Sequence, residues 1–343
     1  MITQPRGPLA AGDQVQLTDP KGRQHRLVLT AGKTFHTHRG SVAHDDLIGQ
    51  PEGCLVVSSG GTPYIALRPL LADYSLAMPR GAAVVYPKDA AQIVALADIF
   101  PGATVIEAGA GSGALSCWLL RADGEEGLVF SYERRPDFAQ IARANVEGYF
   151  GGPHPAWRLT EGPLPAVTEN TGTPEISETT EASEATEASE SAQPSESARP
   201  SEVAARAAGP AESAAPTDVD RVVLDMLSPW DYVSTAAAVL VPGGLVCCYV
   251  ATTTQLARTV TALREHGNFA EPAAWESMQR GWHVEGLAVR PEHRMVGHTG
   301  FLITARRLAD GVQAPPRRRR PSKGLQAADD LAELGEDGLA GNQ

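Results

Sequence analysis

The chain has 343 residues, of which 42% are apolar and 34 are glycine, so it can bury one substantial core and a smaller second one. No stretch approaches the roughly 18 uncharged apolar residues that span a bilayer, and the first residues lack a basic segment followed by an apolar run. We therefore expect a soluble cytoplasmic protein with no membrane segment. The four cysteines form no CxxC pair and no Cys/His cluster, which indicates neither disulfides nor a metal site.

The net charge of −12 is distributed unevenly along the chain. Between residues 169 and 212 ten glutamates face two arginines, so this segment carries −8 and the rest of the chain only −4. A fold whose charges nearly balance can still present a basic face to a phosphate backbone. The acidic total therefore does not exclude a nucleic-acid partner.

Residues 1–63 predict a small N-terminal β domain. The stretches DQVQLTD and RQHRLVLT flank a turn at residues 20–22, and GCLVVSSGG follows later as a further strand. The domain also carries a group of basic and histidine side chains: Lys21, Arg23, His25, Arg26, Lys33, His36, His38, Arg39 and His44. This group predicts phosphate contacts, with solvated surface charge as the alternative.

Residues 64–310 predict a doubly wound α/β domain of the Rossmann-like type. Strand candidates TVIEAG, LVFSYE, RVVLDM and GLVCCYVA alternate with helical stretches, as in a parallel sheet with crossover helices. The last two are nearly continuous apolar runs around VVLDM and LVCCYV, which is typical of strands buried on both faces. The Ser/Glu/Thr/Ala-rich segment at about 165–217 interrupts this domain, and we expect it to be a disordered insertion.

A glycine-rich turn follows the first of these strands. Gly109, Gly111 and Gly113 lead from TVIEA into the helix ALSCWLLRA, where glycines let the backbone approach a ligand and the helix N-terminus offers free amides. About 20 residues on, the next strand ends at Glu133, which is placed to accept ribose hydroxyls. The spacing predicts a nucleoside cofactor. Because Gly109, Gly111 and Ala114 also fit the dinucleotide fingerprint, the turn alone leaves a nicotinamide cofactor open.

Near the C-terminus, the segment 311–343 contains four arginines at 317–320 and then an acidic polar end. We predict that this tail is disordered. Its basic run is a solvated tail or, alternatively, a weak auxiliary contact to RNA.

Several stretches resemble those of one enzyme family. Glu107, two residues before Gly109, and the third glycine at Gly113 are similar to the E/D-x-G-x-G-x-G motif of class I S-adenosylmethionine-dependent methyltransferases. The segments YPKD from Tyr86, DMLSPW from Asp225 and YVAT from Tyr249, with residues 32–40 and 279–282, resemble the bacterial single-subunit tRNA (adenine-58-N1)-methyltransferases. Apart from the insertion and the two ends, the resemblance covers nearly the whole chain.

The resemblance implies S-adenosyl-L-methionine as cofactor, tRNA as partner, a homotetramer, and neither a metal nor a membrane. It implies the catalytic residues Asp225, Tyr86 and Tyr249. It implies that the cofactor-binding residues are Glu107, Gly109, Gly111, Ser112, Gly113, Ala114, Leu115, Glu133, Phe138 and Asp225.

The chemistry gives these catalytic residues physical roles. Methylation at N1 makes a cationic adenine, so a carboxylate at Asp225 that accepts a hydrogen bond from N6 would stabilise it. The alternative for Asp225 is a turn-forming cap after a strand. Tyr86 and Tyr249 would pack against an extruded adenine, although tyrosines of this kind are more often part of a core. We interpret Lys88 and Asp89 as the start of a helix, not as catalytic residues.

One position departs from the family. Members usually carry an Asp in a Ser-Asp-Leu segment that binds the cofactor's adenine amine, and this chain has Pro163 there. Either Glu161 replaces that Asp or the contact is missing. Three alternatives therefore stay open: a class I methyltransferase with another substrate, such as a protein carboxylate or another RNA; a non-catalytic tRNA-binding subunit; and, least favoured, a nicotinamide oxidoreductase.

Overall fold

A computed structural model describes residues 6–165 and 215–315. The predicted disordered insertion at about 165–217 and the predicted disordered tail at 311–343 therefore lie almost entirely outside the described residues. Across the two described ranges, no helix has the length and apolar character needed to cross a bilayer.

The N-terminal residues form a small antiparallel sheet. Its strands and the adjoining hairpin are β1 (Gln14–Thr18), β2 (Gln24–Val28), β3 (Thr34–Thr37), β4 (Gly40–Ala43), β5 (Leu55–Val57) and β6 (Pro63–Leu67). The sheet order is β2-β1-β6-β5, and β3 and β4 pair separately. In β6 the buried Tyr64 and Ala66 alternate with the exposed Ile65 and Leu67, as the period of a half-buried strand requires. Since β6 pairs with β1 and β5, this sheet extends past residue 63, where we placed the domain boundary.

The remaining elements build the larger domain. They are α1 (Leu71–Ala77), α2 (Pro87–Leu96), β7 (Thr104–Ala108), α3 (Ala114–Asp123), β8 (Leu128–Glu133), α4 (Pro136–Phe150), β9 (Trp157–Glu161), β10 (Val219–Asp225), α5 (Val233–Val239), β11 (Leu240–Val250), α6 (Thr253–His266), β12 (Ala273–Trp275), β13 (Gln279–Glu285), β14 (Ala288–Val296) and β15 (Phe301–Arg306). Short 3₁₀ turns lie at His44–Asp46 and Pro229–Tyr232.

The central sheet has seven strands in the order β12-β15-β11-β10-β7-β8-β9. Strands β7 to β11 run parallel, and β15 is antiparallel to both of its neighbours. Alternate residues of β10 face two different cores: Val223 packs with α2 to α4, and Val222 and Leu224 pack with α5 and α6. Burial on both faces explains the continuous apolar runs in β10 and β11. The structure confirms the predicted doubly wound α/β fold.

The chain reverses direction across the sheet between β7 and β10. From β7 it moves outward to β8 and β9, and it then returns to β10 on the other side. In open α/β sheets, ligands bind at the carboxyl ends of the strands where the order reverses. The carboxyl ends of β7 and β10 therefore mark the candidate site.

A two-stranded hairpin, β13–β14, stands apart from both sheets. Its side chains are exposed along almost its whole length, including Trp282, Val284 and Leu287. Exposed apolar residues on one element indicate a surface that associates with something else.

Candidate active site

The glycine turn after β7 is shaped by close backbone contacts. Gly109, Gly111 and Gly113 have φ angles of +97°, +57° and +77°, a region that side-chain-bearing residues rarely adopt. A Cβ on Gly109 would lie 1.9 Å from the Asp225 carbonyl oxygen, and one on Gly113 would lie 2.9 Å from the Ala142 carbonyl oxygen. The turn is therefore pressed against the end of β10 on one side and against α4 on the other.

Glu133 lies at the end of β8 and reaches back to the glycine turn. Its Oε2 accepts the Gly111 amide at 2.8 Å, and its Oε1 accepts both the amide and the Nε of Arg135 at 3.1 and 2.9 Å. Burial by itself raises the pKa of Glu133, but the hydrogen bonds from Arg135 and Gly111 outweigh it and hold the pKa below its ordinary value. Glu133 is thus an ionised acceptor beside the turn.

Glu107 lies inside the protein beneath the turn. Its Oε2 accepts the hydroxyls of Ser116 and Ser131 at 2.6 and 2.5 Å, and the Trp157 indole donates to Ser131 at 2.8 Å. Its other oxygen is buried without a hydrogen-bond partner among the described residues. Burial raises the pKa of Glu107, the charge of Glu133 adds to this, and the two serine hydroxyls oppose it. Glu107 therefore joins α3, β7 and β8 beneath the turn.

Ser112 fastens the glycine turn to the loop before α2. Its hydroxyl accepts the amides of Gly81 and Ala82 at 3.1 and 3.2 Å, and its carbonyl accepts the Asn145 side-chain amide at 2.8 Å. Ala114 and Leu115 are buried in the first turn of α3. These contacts fix the shape of the turn before any ligand arrives.

Phe138, on the first turn of α4, is half-buried. The Arg135 guanidinium stacks over its ring at 3.6 Å, and the ring edge lies against Gly81. The ring therefore forms part of the wall between the glycine turn and the loop at residues 79–82.

Register places several polar side chains on one face of the sheet. Glu107 pairs with Val223 and Ser131, so Asp225 and Glu133, each two residues further on, point to the same face as Glu107. Asp225 pairs with Tyr249 in turn. The predicted carboxylates and Tyr249 therefore share one edge and one face.

Asp225 is half-buried at the end of β10. Burial raises the pKa of Asp225 to about 7, and the charges of Glu107 and Glu133 contribute. A carboxylate that is costly to ionise gains most from a neighbouring positive charge. The geometry thus suits stabilisation of a cationic group.

Tyr249 belongs to a buried hydrogen-bond network, and Tyr86 lies just before the helix that contributes Lys88 and Asp89 to it. Tyr86 is the residue before α2 and is 38% exposed, whereas the Tyr249 hydroxyl donates to Asp89 Oδ2 at 3.3 Å. Asp89 also pairs with Lys88, at 2.6 Å. Our interpretation of Lys88 and Asp89 as a simple helix start missed this network.

Glu161 ends β9 in register with Glu133, so its side chain points to the same face. It is exposed, and so is Pro163. Glu161 is therefore the carboxylate nearest in register to Glu133 on the outer side of the sheet.

Several side chains of the predicted basic group of the N-terminal domain already bind other residues of the chain. Arg23 pairs with Asp19 at 2.8 Å, and Arg26 donates to the backbone carbonyls of Asp73 and Tyr74. His44 is buried. Lys21 and Lys33 remain exposed, as do His36 and His38.

In residues 6–165 and 215–315, no group of three or more His, Cys, Asp or Glu side chains could hold a metal ion.

Two family profiles match the chain. The profile "TrmI-like N-terminal" matches residues 7–56, and the profile "tRNA methyltransferase complex GCD14 subunit" matches residues 64–148 and 208–287. The chain is 33% identical, over 85% of its length and 95% of the relative, to the tRNA (adenine(58)-N(1))-methyltransferase TrmI of Thermus thermophilus. The chain belongs to this methyltransferase family. It is also 31% identical, over 84% of its length and 93% of the relative, to the tRNA (adenine(57)-N(1)/adenine(58)-N(1))-methyltransferase TrmI of Methanocaldococcus jannaschii.

Solved structures agree with this methyltransferase fold. A crystal structure of an S-adenosylmethionine-dependent O-methyltransferase from Thermotoga maritima superposes with a TM-score of 0.68 and 25% identity, covering 91% of this chain and 96% of its own. The tRNA (m1A58) methyltransferase TrmI from Aquifex aeolicus superposes with a TM-score of 0.64 and 20% identity, covering 88% and 99%. The second shows the fold alone.

Proposed function

We propose that this enzyme transfers the methyl group of S-adenosyl-L-methionine to N1 of adenine 58 in the T-loop of tRNA, giving N1-methyladenosine. The observation that carries the proposal is the contact between Gly109 and the Asp225 carbonyl, which places a cofactor turn directly beside an acidic residue that is costly to ionise. The relatives named as adenine-58 methyltransferases support the same substrate.

The residues around the glycine turn fit S-adenosyl-L-methionine. Gly109 lets the turn pack directly against the end of β10, where a Cβ would lie 1.9 Å from the Asp225 carbonyl oxygen, and α3 begins immediately after the turn, so that its first backbone amides can bind a ligand there. Glu133 is ionised and would accept ribose hydroxyls. Gly111, Ser112, Gly113, Ala114, Leu115 and Phe138 would form the walls of the cofactor site, and Glu107 would support it from below.

Asp225 would act on the target base. When bound, the cofactor supplies an electrophilic methyl group on a sulfonium sulfur. The Asp225 carboxylate would accept a hydrogen bond from the exocyclic N6, which raises the electron density at N1 and then stabilises the methylated cation. Tyr86 and Tyr249 would hold the ring of the adenine withdrawn from its stack.

Exposed cations on the N-terminal domain, among them Lys21 and Lys33, would contact tRNA phosphates, together with Arg280, Arg290 and Arg294 on the β13–β14 hairpin. We further propose that Glu161 accepts the cofactor's adenine amine in place of the Asp that Pro163 displaces.

We propose that the enzyme is a cytoplasmic homotetramer. The exposed apolar side chains of the β13–β14 hairpin support association between copies, and the number four follows from the family resemblance. Cys54, Cys117, Cys247 and Cys248 are all free thiols, as expected in a reducing compartment.

The test is methyl transfer from labelled S-adenosyl-L-methionine to unmodified tRNA transcripts. We expect label with the wild-type enzyme and the intact transcript, and none when adenine 58 is replaced by guanine. Asp225→Ala should lose at least about 100-fold in kcat, the scale of one lost electrostatic contact at a reacting centre. Asp231→Ala, at an exposed acid in the same loop region, is the matched control and should stay active.

Label that persists without adenine 58 would contradict the proposed site, and a transcript lacking adenine 57 would show whether that base is also used. Label that enters protein instead would favour an O-methyl acceptor, such as a carboxylate, as the Thermotoga structure's name suggests. Absence of label with retained tRNA binding would favour a non-catalytic subunit.

A further inference from the structure

A buried ion pair lies at the first turn of α2. The ammonium of Lys88 donates to Asp89 Oδ1 at 2.6 Å, to the Ser277 carbonyl at 2.7 Å and to Thr299 Oγ1 at 2.5 Å. Only 6% of the Lys88 side chain and 1% of the Asp89 side chain are exposed. All three hydrogens of the ammonium thus have partners inside the protein.

Helix formation alone does not account for this burial. An acid near a helix N-terminus interacts favourably with the dipole while remaining exposed to water. Removing two charges from water is costly and is offset only when the surrounding hydrogen bonds are nearly complete. Here they are nearly complete: Asp89 also accepts the hydroxyls of Ser277, at 3.0 Å, and of Thr299. Such a network favours one arrangement of its members.

One member of the network is Tyr249. Its hydroxyl donates to Asp89 Oδ2 at 3.3 Å, and its ring lies against Gly300, where a Cβ would be 2.5 Å from ring carbons. Burial, with the Asp89 carboxylate beside it, raises the pKa of Tyr249, so the hydroxyl stays protonated and able to donate. The ring therefore has a fixed orientation beside Asp225, its partner in register.

The network also holds the two residues at the base of the β13–β14 hairpin, one before β13 and one after β14, which we call the feet of the hairpin. Ser277 precedes β13 and Thr299 follows β14, and each contacts Lys88 and Asp89. Beside them His298 bridges Glu276 and the Ala251 carbonyl, both at 2.8 Å. The hairpin base is thereby joined to the helix that follows Tyr86 and to the strand that carries Tyr249.

We propose that the Lys88–Asp89 pair positions Tyr249 for methyl transfer by clamping both feet of the β13–β14 hairpin to the start of α2. The proposal rests on the proposed function, since it assigns Tyr249 to the target base. It makes Lys88, Asp89 and Thr299 positioning residues that act through Tyr249 without touching substrate. Whatever binds the hairpin would then influence the orientation of the tyrosine.

Kinetics of Asp89→Asn give the first test. We expect kcat to fall by about 10- to 100-fold, because a misplacement of roughly 1 Å can cost that much, while the Kd for S-adenosyl-L-methionine measured by calorimetry changes less than about twofold. In a Tyr249→Phe background, Asp89→Asn should cost less than about threefold more, since residues acting through one contact are not additive. Asp73→Asn, which removes an acid from the first turn of α1, is the control and should leave kcat unchanged.

Thr299 provides a milder pair of variants if Asp89→Asn fails to fold. Thr299→Ser keeps the hydroxyl and should keep the activity. Thr299→Val replaces the hydroxyl with a methyl group of similar size and should reproduce the kcat defect. Equal losses with Asp89→Asn in the wild-type and Tyr249→Phe backgrounds would overturn the proposal, because the effect would then not pass through Tyr249.

A spectroscopic readout separates this proposal from the proposed function. In protein labelled with 3-fluorotyrosine, the fluorine resonance that Tyr249→Phe removes should shift or broaden in Thr299→Val and remain in place in Thr299→Ser. This expectation does not depend on which substrate is methylated. An unchanged resonance in Thr299→Val would overturn the positioning role even in an active enzyme, whereas an inactive wild type with the expected shift would contradict only the tRNA substrate.

Discussion

Asp225 shares its face of the sheet with two other carboxylates, and this sets its acidity. Glu107 and Glu133 are close enough that their charges, added to burial, raise the pKa of Asp225 to about 7. Methyl transfer in the proposed mechanism needs Asp225 ionised. Its protonation state therefore changes within the physiological pH range.

This acidity predicts a pH-dependent rate. Because Asp225 must be charged, kcat/KM for S-adenosyl-L-methionine should rise about tenfold per pH unit below pH 7 and level off above it. In Glu107→Gln the inflection should move to lower pH, since one source of negative charge is gone. Rates measured in overlapping buffers between pH 5.5 and 9 give the answer, and a flat profile between pH 6 and 8 would contradict the assignment.

Gly109 and Gly111 allow a matched comparison within one turn. A methyl at 109 would meet the Asp225 carbonyl at 1.9 Å, whereas at 111 the nearest atom is the Ala82 Cβ at 3.7 Å. Gly109→Ala should abolish cofactor binding and lower the melting temperature. Gly111→Ala should lower the free energy of unfolding only by the strain of a left-handed alanine, about 1–2 kcal/mol. Calorimetric titration and thermal unfolding measure both, and equal effects of the two substitutions would show that the Asp225 contact is unimportant.

The sequence predicts some of these residues better than others. Gly109 and Glu133 follow a local strand-turn-helix motif, so their spacing alone places them at the edge of the sheet. Lys88 gives no such signal, because its partners Ser277 and Thr299 lie 189 and 211 residues further along the chain. Only the folded sheet brings those segments together.

Among whole elements, buried strands are the ones that the sequence predicts well. The runs TVIEAG, LVFSYE, RVVLDM and GLVCCYVA all coincide with observed strands. The last two are marked most clearly, because strands covered on both faces need nearly continuous apolar residues. The hairpin β13–β14 has exposed residues on both faces, so no alternation marks it. An element that buries almost nothing within its own chain leaves little hydrophobic pattern to detect.

Helix α3 ends at a carboxylate that destabilises the fold. Neither oxygen of Asp123 has a hydrogen-bond partner within the described part of the chain. Burial raises the pKa of Asp123 to about 7; the nearby Ala103 amide opposes this rise, and the charge of Asp220 adds to it. The unfolded chain ionises this group near its ordinary pKa of about 3.9. Stability is therefore lost as pH rises from about 4 to 7, and the penalty is complete above 7.

Asp123→Asn should remove this pH dependence. Relative to wild type, its free energy of unfolding should increase by about 3 kcal/mol between pH 5 and pH 8, because the wild-type penalty grows over about two pH units at about 1.4 kcal/mol per unit. Urea unfolding at the two pH values measures the change. Asp137→Asn, at an exposed acid on α4, is the control, and an identical difference for both variants would rule out the buried carboxylate as the cause.

At the scale of the whole molecule, the active site and the exposed hairpin are parts of one structure. The central sheet places Asp225 and Tyr249 side by side, and the segment after β11 passes through the hairpin before returning as β15. The hairpin feet contact the site, while the hairpin itself carries apolar side chains into solvent. Assembly and catalysis are therefore expected to depend on the same segment.

Replacement of the hairpin's apolar residues should reduce the assembly. Trp282, Val284 and Leu287 are 60%, 69% and 103% exposed, and burying each such side chain between copies stabilises association by about 1.5–3 kcal/mol. The triple serine variant should sediment as a smaller species than the proposed tetramer. It should still bind S-adenosyl-L-methionine, because Asp225 and the glycine turn belong to the sheet. Leu55→Ser, at a residue 65% exposed on the N-terminal sheet, is the control and should not change the mass. A triple variant with wild-type mass would show that copies associate through a surface other than the apolar residues of the hairpin.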